Sequence, residues 1–193
     1  MRRHRFLPRL RVVASHRIDT DRLLLRSPVM ADAPRISEIM GRWDIARWLV
    51  RVPFPYRIAH AEAWIERSAE ERAAATGWPF MMTLRDDGTL IGSMDLSIEA
   101  DRMTGTLGYW VGEDYWGHGY ATEAARGVIE FAFEILKLKS VTASALPDND
   151  RSIRVLTKAG LSYIDRRPED TVERGRVDTD FFALDRSTWI VNR

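Results

Sequence analysis

The chain has 193 residues, of which 45% are hydrophobic and 30% charged, so it is long enough to bury the core of one globular domain and is not of the disordered class. Its 29 basic and 28 acidic residues nearly cancel, which argues against a dedicated nucleic-acid-binding protein. The absence of cysteine excludes disulfides, thiolate catalysis and cysteine-based zinc sites, and no apolar run reaches the roughly 18–20 residues that span a bilayer.

The first 17 residues form a basic segment, because the first acidic residue of the chain is Asp19. We interpret residues 1–17 as a surface extension, with an organelle-targeting or RNA-contacting arm as the alternative, and residues 18–193 as a single domain. Without cysteine or a predicted membrane span, the chain is expected to be cytoplasmic and to contact no membrane.

The first half of the chain predicts helices and strands separated by one irregular segment. In chain order these are a strand at 23–26, a helix capped by Asp32 that runs to about Met40, an irregular aromatic segment at 41–58, a helix at 59–75 that ends at Gly77, and strands at 78–85 and 90–98. Gly88, between the last two strands, provides the positive φ of a tight hairpin turn.

Strands and helices alternate in the second half. In chain order the sequence predicts a strand at 104–111, a helix at about 122–137, a strand at 139–146, a shorter helix capped by Asn149 or Asp150 that stops at Gly160, and closing strands at 161–167 and 177–185 separated by a charged loop. Neither a repeat nor a linker interrupts this order, so we predict one mixed α/β domain.

The segment from Leu107 to Ala125 carries the clearest chemical signal. A strand enters a loop that holds Gly117 and Gly119, and a helix follows. Glycines let consecutive backbone N–H groups turn inward, and a helix N-terminus adds free N–H groups, so the loop suits a phosphate or pyrophosphate. Position 122 is threonine, so the third glycine of a dinucleotide fingerprint is missing, as is the Gly-Lys-Ser/Thr of a P-loop. Taken alone, the pattern leaves open a glycine-rich turn without a ligand.

Eight short segments, in their order and spacing, resemble the GNAT family of N-acetyltransferases over roughly residues 20–185, and within it the ribosomal-protein N-terminal acetyltransferase (RimJ/RimL-like) branch. They are residues 20–26, 53–56, 63–66, 91–93, 108–110, 116–124, 149–152 and 158–160. The resemblance implies an α/β (α+β layered) fold: a mixed, mostly antiparallel central sheet of about six to seven strands, flanked by helices, with a splayed parallel pair at the cofactor site.

The same resemblance implies that acetyl-CoA is the co-substrate and that no metal takes part. It implies that backbone N–H groups of about 118–122 hold the pyrophosphate, that the end of the strand at 109–111 pairs with the pantetheine amides, and that Asn149 contacts the pantetheine arm or the reacting centre. The cofactor-binding residues expected on this basis are Tyr109, Trp110, Val111, Trp116, Gly117, His118, Gly119, Tyr120, Ala121, Thr122 and Asn149.

The implied reaction is direct attack of a neutral amine on the thioester, with a backbone N–H such as that of Trp110 or Val111 stabilising the oxyanion. Many relatives carry a tyrosine acid where this chain has Leu156, and the ribosomal branch resembles this chain in offering a serine. Ser152 is therefore the candidate acid, unless it only bonds backbone in the first helical turn. We expect His118 to be a loop residue or a phosphate contact.

The general base is left open by the sequence. Many relatives carry a glutamate where this chain has Thr106. Asp95 or Glu99 could substitute through water, or could be solvated strand residues. The missing glutamate favours a weakly basic acceptor such as a protein N-terminal α-amine, whose pKa is about 7.7–8.0.

The acceptor groove is assigned by the resemblance to an aromatic region and one carboxylate. The expected substrate-binding residues are Trp43, Trp48, Phe54, Tyr56 and Asp95, with packing in the core as the alternative for the aromatics. A protein N-terminus, for instance of a ribosomal protein, is favoured over a small-molecule amine. Two other readings stay open: a coenzyme A-binding regulatory module with little chemistry, and an RNA- or ribosome-associated protein that uses the basic start. No residue decides whether the chain forms a homodimer.

Overall fold

The computed structural model describes residues 17–50, 52–171 and 175–192. Residues 1–16 lie outside these ranges, so the interpretation of the basic segment stays a prediction. None of the described helices has both the length and the apolar character that crossing a bilayer requires. Within the same ranges, no three histidine, aspartate or glutamate side chains come together as a metal site would need.

Eight strands and six α-helices make up the described fold. The strands are β1 Ile18–Asp19, β2 Leu23–Arg26, β3 Gly77–Leu84, β4 Leu90–Ile98, β5 Thr104–Val111, β6 Ser140–Ala145, β7 Ser162–Thr171 and β8 Gly175–Asp185. The helices are α1 Ala33–Met40, α2 Trp43–Ala46, α3 Ile58–Ala73, α4 Tyr120–Glu134, α5 Asp150–Ala159 and α6 Arg186–Asn192.

All strands join one sheet in the order β1-β2-β3-β4-β5-β6-β8-β7. Every neighbouring pair is antiparallel except β5 and β6, so the predicted mixed sheet with one parallel pair is confirmed. The count exceeds the expected six to seven strands because the two-residue β1 pairs with β2, Ile18 opposite Leu25.

The parallel pair separates before β5 ends. Its register runs from Thr104 opposite Ser140 to Leu107 opposite Ala143, whereas β5 continues to Val111. We call the opening between residues 108–111 and the end of β6 the strand gap. Backbone groups of β5 that face this opening have no strand partner there, so they are available to an extended ligand.

The two faces of the sheet carry different cores. On one face α4 buries Val128, Ile129 and Ala132, and Leu156 of α5 joins the same cluster. On the other face α1 and α3 cover β3 and β4 but leave the region of the strand gap open. Each fully buried aliphatic side chain in these two clusters stabilises the fold by about 1.5–3 kcal/mol. The open region of the sheet lies outside both clusters.

Several element boundaries differ from the predicted ones. The aromatic segment at 41–58 contains the short helix α2, and α6 was not predicted at all. Helix α3 ends at Ala73, followed by Ala75 at a φ of 52°, and Gly77 opens β3 instead of ending the helix. The predicted charged loop is mostly strand, because β7 and β8 continue through it with Asp170 opposite Arg176, an opposite-charge pair that favours cross-strand pairing.

Candidate active site

The loop before α4 has the backbone that its glycines suggested. Gly117 and Gly119 adopt φ values of +79° and +82°, which glycine reaches without strain. Gly119 is the N-cap of α4, so the helix begins at Tyr120, two residues earlier than predicted. Both glycines, together with Ala121, line a large cavity at this edge of the sheet. The first N–H groups of α4, which have no partner within the helix, are therefore positioned beside the cavity.

Arg22 braces this loop from the start of β2, a role that the sequence did not reveal. Its guanidinium donates to the carbonyl oxygen of His118 (2.9 Å) and lies 4.6 Å from the ring centroid of Tyr120. Glu123 in turn accepts hydrogen bonds from the Nε and the backbone N–H of Arg22, each 2.7 Å, and from the hydroxyl of Thr20. Burial would raise the pKa of Glu123, but these hydrogen bonds outweigh it and hold the pKa below its ordinary value.

We expect Glu123→Gln to lower the free energy of unfolding by about 1–2 kcal/mol, because hydrogen bonds to a charged acceptor are lost. Coenzyme A should bind a few-fold more weakly, because Arg22 no longer holds the loop. The stability difference from wild type should shrink as pH falls through about 4, where the wild-type carboxylate is protonated in the unfolded chain. Chemical denaturation across pH measures this, with Glu66→Gln on the exposed face of α3 as the matched control. Equal stability of both variants at pH 7 would contradict the bracing role.

The backbone at the strand gap alternates in direction. Gly112 donates its N–H to Ile91 of β4, and Trp110 lies opposite Ser93 of the same strand. Because successive residues of a strand present their N–H and C=O to opposite sides, Tyr109 and Val111 direct theirs toward the strand gap. The indole of Trp116 donates to the carbonyl oxygen of Val111 (2.7 Å) and fixes this edge. Of the two oxyanion donors considered from the sequence, Val111 therefore has the suitable orientation.

Helix α5 brings two predicted residues to the same opening. Asn149 caps it, accepting the N–H of Ser152 on its side-chain oxygen (3.2 Å), and Gly160 ends it with a φ of +107°. The hydroxyl of Ser152 lies 2.7 Å from that of Tyr109, whose side chain reaches across from β5. Burial raises the pKa of Tyr109 to about 12, partly opposed by the bond to Ser152, so the phenol stays protonated. The sequence did not reveal this pairing, because it gave Tyr109 only a backbone role.

A cavity of about 1120 Å³ connects the glycine loop, the strand gap and the region under α1 and α3. It brings together most of the predicted site residues: Tyr109, Trp110, Val111, Trp116, Gly117, Gly119, Tyr120, Ala121, Thr122, Asn149, Ser152, Trp48, Tyr56 and Asp95. This is larger than a typical small-ligand pocket of roughly 300–1,000 Å³, so it has room for an extended ligand and a second substrate.

Three predicted site residues have side chains outside this cavity. Trp43 is 48% exposed and packs edge-on against Phe54, with ring centroids 5.0 Å apart. His118 is exposed and stacks on Tyr120, so it contributes its backbone to the loop but presents no base to the cavity. A local sequence pattern cannot distinguish these aromatics from Trp48 and Tyr56, because the distinction depends on the path of the chain between α1 and α3.

A basic row along α5 lines the same cavity and was missed. Arg151, Arg154 and Lys158 all contribute to the wall near the glycine loop, and the guanidinium of Arg151 lies 4.3 Å from the ring centroid of Trp116. Their spacing of three and four residues was the available signal, because it places them on one helical face. The cavity is therefore positive at the end where the loop N–H groups converge.

The comparisons with known proteins agree with this geometry. Residues 22–162 match the family described as Acetyltransferase (GNAT) domain. The uncharacterized N-acetyltransferase p20 of Bacillus licheniformis is 25% identical over 167 residues, which cover 86% of this chain and 93% of that protein.

Two solved structures share the fold at low sequence identity. A GNAT-family acetyltransferase from Bacillus anthracis superposes with a TM-score of 0.78 and 20% identity, covering 89% of this chain and 99% of its own. The ribosomal-protein-S5-alanine acetyltransferase from Vibrio fischeri superposes with a TM-score of 0.77 and 18% identity, covering 90% and 98%. With nearly three quarters of its length matched by the family profile, the chain belongs to the GNAT acetyltransferases and is an acetyl-CoA-dependent N-acetyltransferase.

Proposed function

We propose that this enzyme acetylates the α-amine of a protein N-terminus. The observation that carries the proposal is the part of the cavity beyond the strand gap, which Trp48, Tyr56 and Asp95 line together. Aromatic walls suit the first side chains of an extended peptide, and a carboxylate suits its amine. The shared fold with an acetyltransferase that is named for a ribosomal protein supports the same acceptor class.

The residues present fit acetyl-CoA. The glycine loop and the N-terminus of α4 offer N–H groups to the pyrophosphate, and Arg151, Arg154 and Lys158 offer positive charge to the phosphates. The strand gap offers the backbone of Tyr109 to the pantetheine amides, while the carbonyl of Val111 already accepts from Trp116. In this proposal the loop and the strand gap hold the ligand so that its thioester comes toward Ser152, which also lines the cavity.

The proposed chemistry is direct transfer without a covalent enzyme intermediate. The N–H of Val111 stabilises the oxyanion as the amine attacks, and the hydroxyl of Ser152 gives its proton to the departing thiolate. In this proposal the phenol of Tyr109 is the donor in its 2.7 Å contact with the hydroxyl of Ser152, which leaves the serine hydrogen free for the sulfur and makes it a better donor.

We expect a lysine-free peptide with a free N-terminus to be acetylated at least tenfold faster than the same sequence blocked at its N-terminus and carrying one lysine. The reason is that an α-amine of pKa about 7.7–8.0 is partly neutral at physiological pH, whereas a lysine amine of pKa about 10.4 is almost wholly protonated. Release of free thiol from acetyl-CoA measures both rates.

A panel of small amines under the same conditions serves as the second arm. Faster turnover of a diffusible amine than of any peptide would overturn the protein acceptor, while leaving the acetyltransferase itself intact. Absence of thiol release with every amine, together with tight coenzyme A binding, would support the regulatory-module reading.

A further inference from the structure

We infer that Asp95 is the general base of this enzyme and accepts the proton of the attacking amine. The inference deepens the proposed function, on which it rests for the position of the amine. It assigns the base to β4, whereas many relatives carry it on the neighbouring strand at the position of Thr106.

The alternation of β4 directs Asp95 into the cavity. Met94 and Leu96 are buried in the core on one face of the sheet, so the residues between and beside them face the other way. Asp95 lies there beside Ser93, whose hydroxyl donates to its carboxylate.

Gly108 opens the path from Asp95 to the strand gap. It is the cross-strand partner of Asp95 on β5, immediately before Tyr109. Side chains of directly opposite residues are about 4.5–5.5 Å apart at Cβ, so Asp95 is a near neighbour of this backbone. A Cβ added at Gly108 would meet no atom within 4 Å, so the space over Gly108, opposite Asp95, is open.

The charges around Asp95 suit a base. Burial raises its pKa to about 7, opposed by the hydrogen bond from Ser93 and assisted by the negative charge of Glu71. The other titratable groups that face this part of the cavity are Tyr56, His60 and Arg67. Within the described ranges no arginine, lysine or histidine forms an ion pair with Asp95, so its carboxylate is free to take a proton. A base of this strength lies close to the pKa of an α-amine.

The other candidate bases are already engaged or face elsewhere. Thr106 donates its hydroxyl to Glu99 (2.6 Å), and Glu99 is exposed and does not line the cavity. Glu71 lies 3.7 Å from Arg67 in an ion pair. The Nδ1 of His60 accepts the backbone N–H of Arg57 (3.1 Å) at the start of α3.

The proton balance closes with the groups already assigned. The amine nitrogen bonds to the acetyl carbon, and Asp95 takes the proton that the nitrogen loses. The carbon–sulfur bond breaks, and the thiolate takes a proton from Ser152. Asp95 then returns its proton to water, and Ser152 regains one from water, so that one amine and one thioester give one amide and one thiol.

The test is the pH dependence of Asp95→Asn compared with wild type. In wild type we expect kcat/KM to rise with pH along an ascending limb whose apparent pKa is near 7, because only the ionised carboxylate of Asp95 is a base. The limb should keep its position with two acceptors of different amine pKa, which separates it from titration of the substrate. In Asp95→Asn we expect that limb to be lost and kcat/KM at pH 7.5 to fall by roughly 10²–10⁴-fold. Glu99→Gln, which removes a carboxylate beyond the end of β4, should keep the limb.

Two further measurements separate a base from a structural residue. An ionised, buried carboxylate destabilises the folded state, because its folded pKa lies above its unfolded value and the cost grows as pH rises from about 4 through 7. Asp95→Asn should therefore raise the melting temperature at pH 8 and change it little at pH 4. Gly108→Val should fold normally and lose activity, because its side chain occupies the open path.

A limb near 7 that persists in Asp95→Asn, or a melting temperature that falls at pH 8, would overturn the assignment. Because any amine that the enzyme accepts can be used, this result does not depend on whether the acceptor is a peptide. If peptides with a free N-terminus are not acetylated, but Asp95→Asn still loses the limb with another amine, only the proposed function is overturned.

Discussion

Gly119→Val should weaken acetyl-CoA binding by at least a hundredfold while the protein still folds. Gly119 caps α4 at a φ of +82°, and the N–H groups that follow are those proposed to hold the pyrophosphate. A branched side chain there disfavours this backbone conformation by about 1–2 kcal/mol. Its Cβ would lie 3.5 Å from the guanidinium of Arg22, an ordinary contact, so the substitution acts through the backbone conformation. The altered backbone removes the convergence of N–H groups on which the binding of a doubly charged pyrophosphate depends.

The matched control is Gly88→Val in the turn between β3 and β4. Gly88 has a φ of +76° and an added Cβ there meets nothing within 4 Å, so it carries the same backbone strain far from the cavity. Both variants should lose similar stability in chemical denaturation, and only Gly119→Val should lose affinity in calorimetry. Unchanged affinity in a folded Gly119→Val protein would refute the assignment of this loop to the pyrophosphate.

Ser152→Ala should lower kcat by roughly 10²–10⁴-fold with little change in acetyl-CoA affinity, because proton donation to the leaving group acts mainly in the transition state. Tyr109→Phe should have a smaller effect, about tenfold, since it removes only the donor behind Ser152. In the double variant the two losses should not add, because without the serine hydroxyl the phenol has nothing to polarise. Steady-state kinetics of the four proteins measures the coupling.

Thr157→Ala is the control for a hydroxyl that only bonds backbone. Thr157 lies on the same helix, is exposed and donates to the carbonyl of Ile153 (2.9 Å). Its variant should keep full turnover. If Ser152→Ala loses less than about threefold, Ser152 belongs to the same kind as Thr157 and the acid has to be sought elsewhere.

Helices and turns with a local signal were well predicted from the sequence. Asn149 and Gly160 bound α5 because a capping amide and a left-handed glycine act within one helical turn. Gly88 closes its hairpin for the same local reason. Helix α6, by contrast, begins directly after β8 with no intervening turn, and it is supported by Trp189 packing on Phe133, with ring centroids 5.3 Å apart. Short helices of this kind take their stability from packing, which no local pattern records.

The candidate active site shows the same difference between local signals and contacts between distant parts of the chain. The order of strand, glycine loop and helix at 107–125 predicts a phosphate-binding loop, and the left-handed glycines and the helix start that it requires are confirmed, because the geometry of that loop is set by consecutive residues. The sequence could not show that Arg22 and Glu123, 101 residues apart, brace it. Nor could it show that Tyr109 and Ser152, separated by 43 residues, share a hydrogen bond.

The sequence by itself determined the type of fold, the backbone of the glycine loop and the family, since these depend on periodicity, turn chemistry and motif order. Only the tertiary structure decided which polar side chains meet in the cavity. It placed Asp95 in the wall of the cavity and left Trp43 and Phe54 outside. The physical reason is that such meetings depend on the register between distant strands and on how helices lie over the sheet. A shift of one residue in the register of a strand would turn each of its side chains to the opposite face.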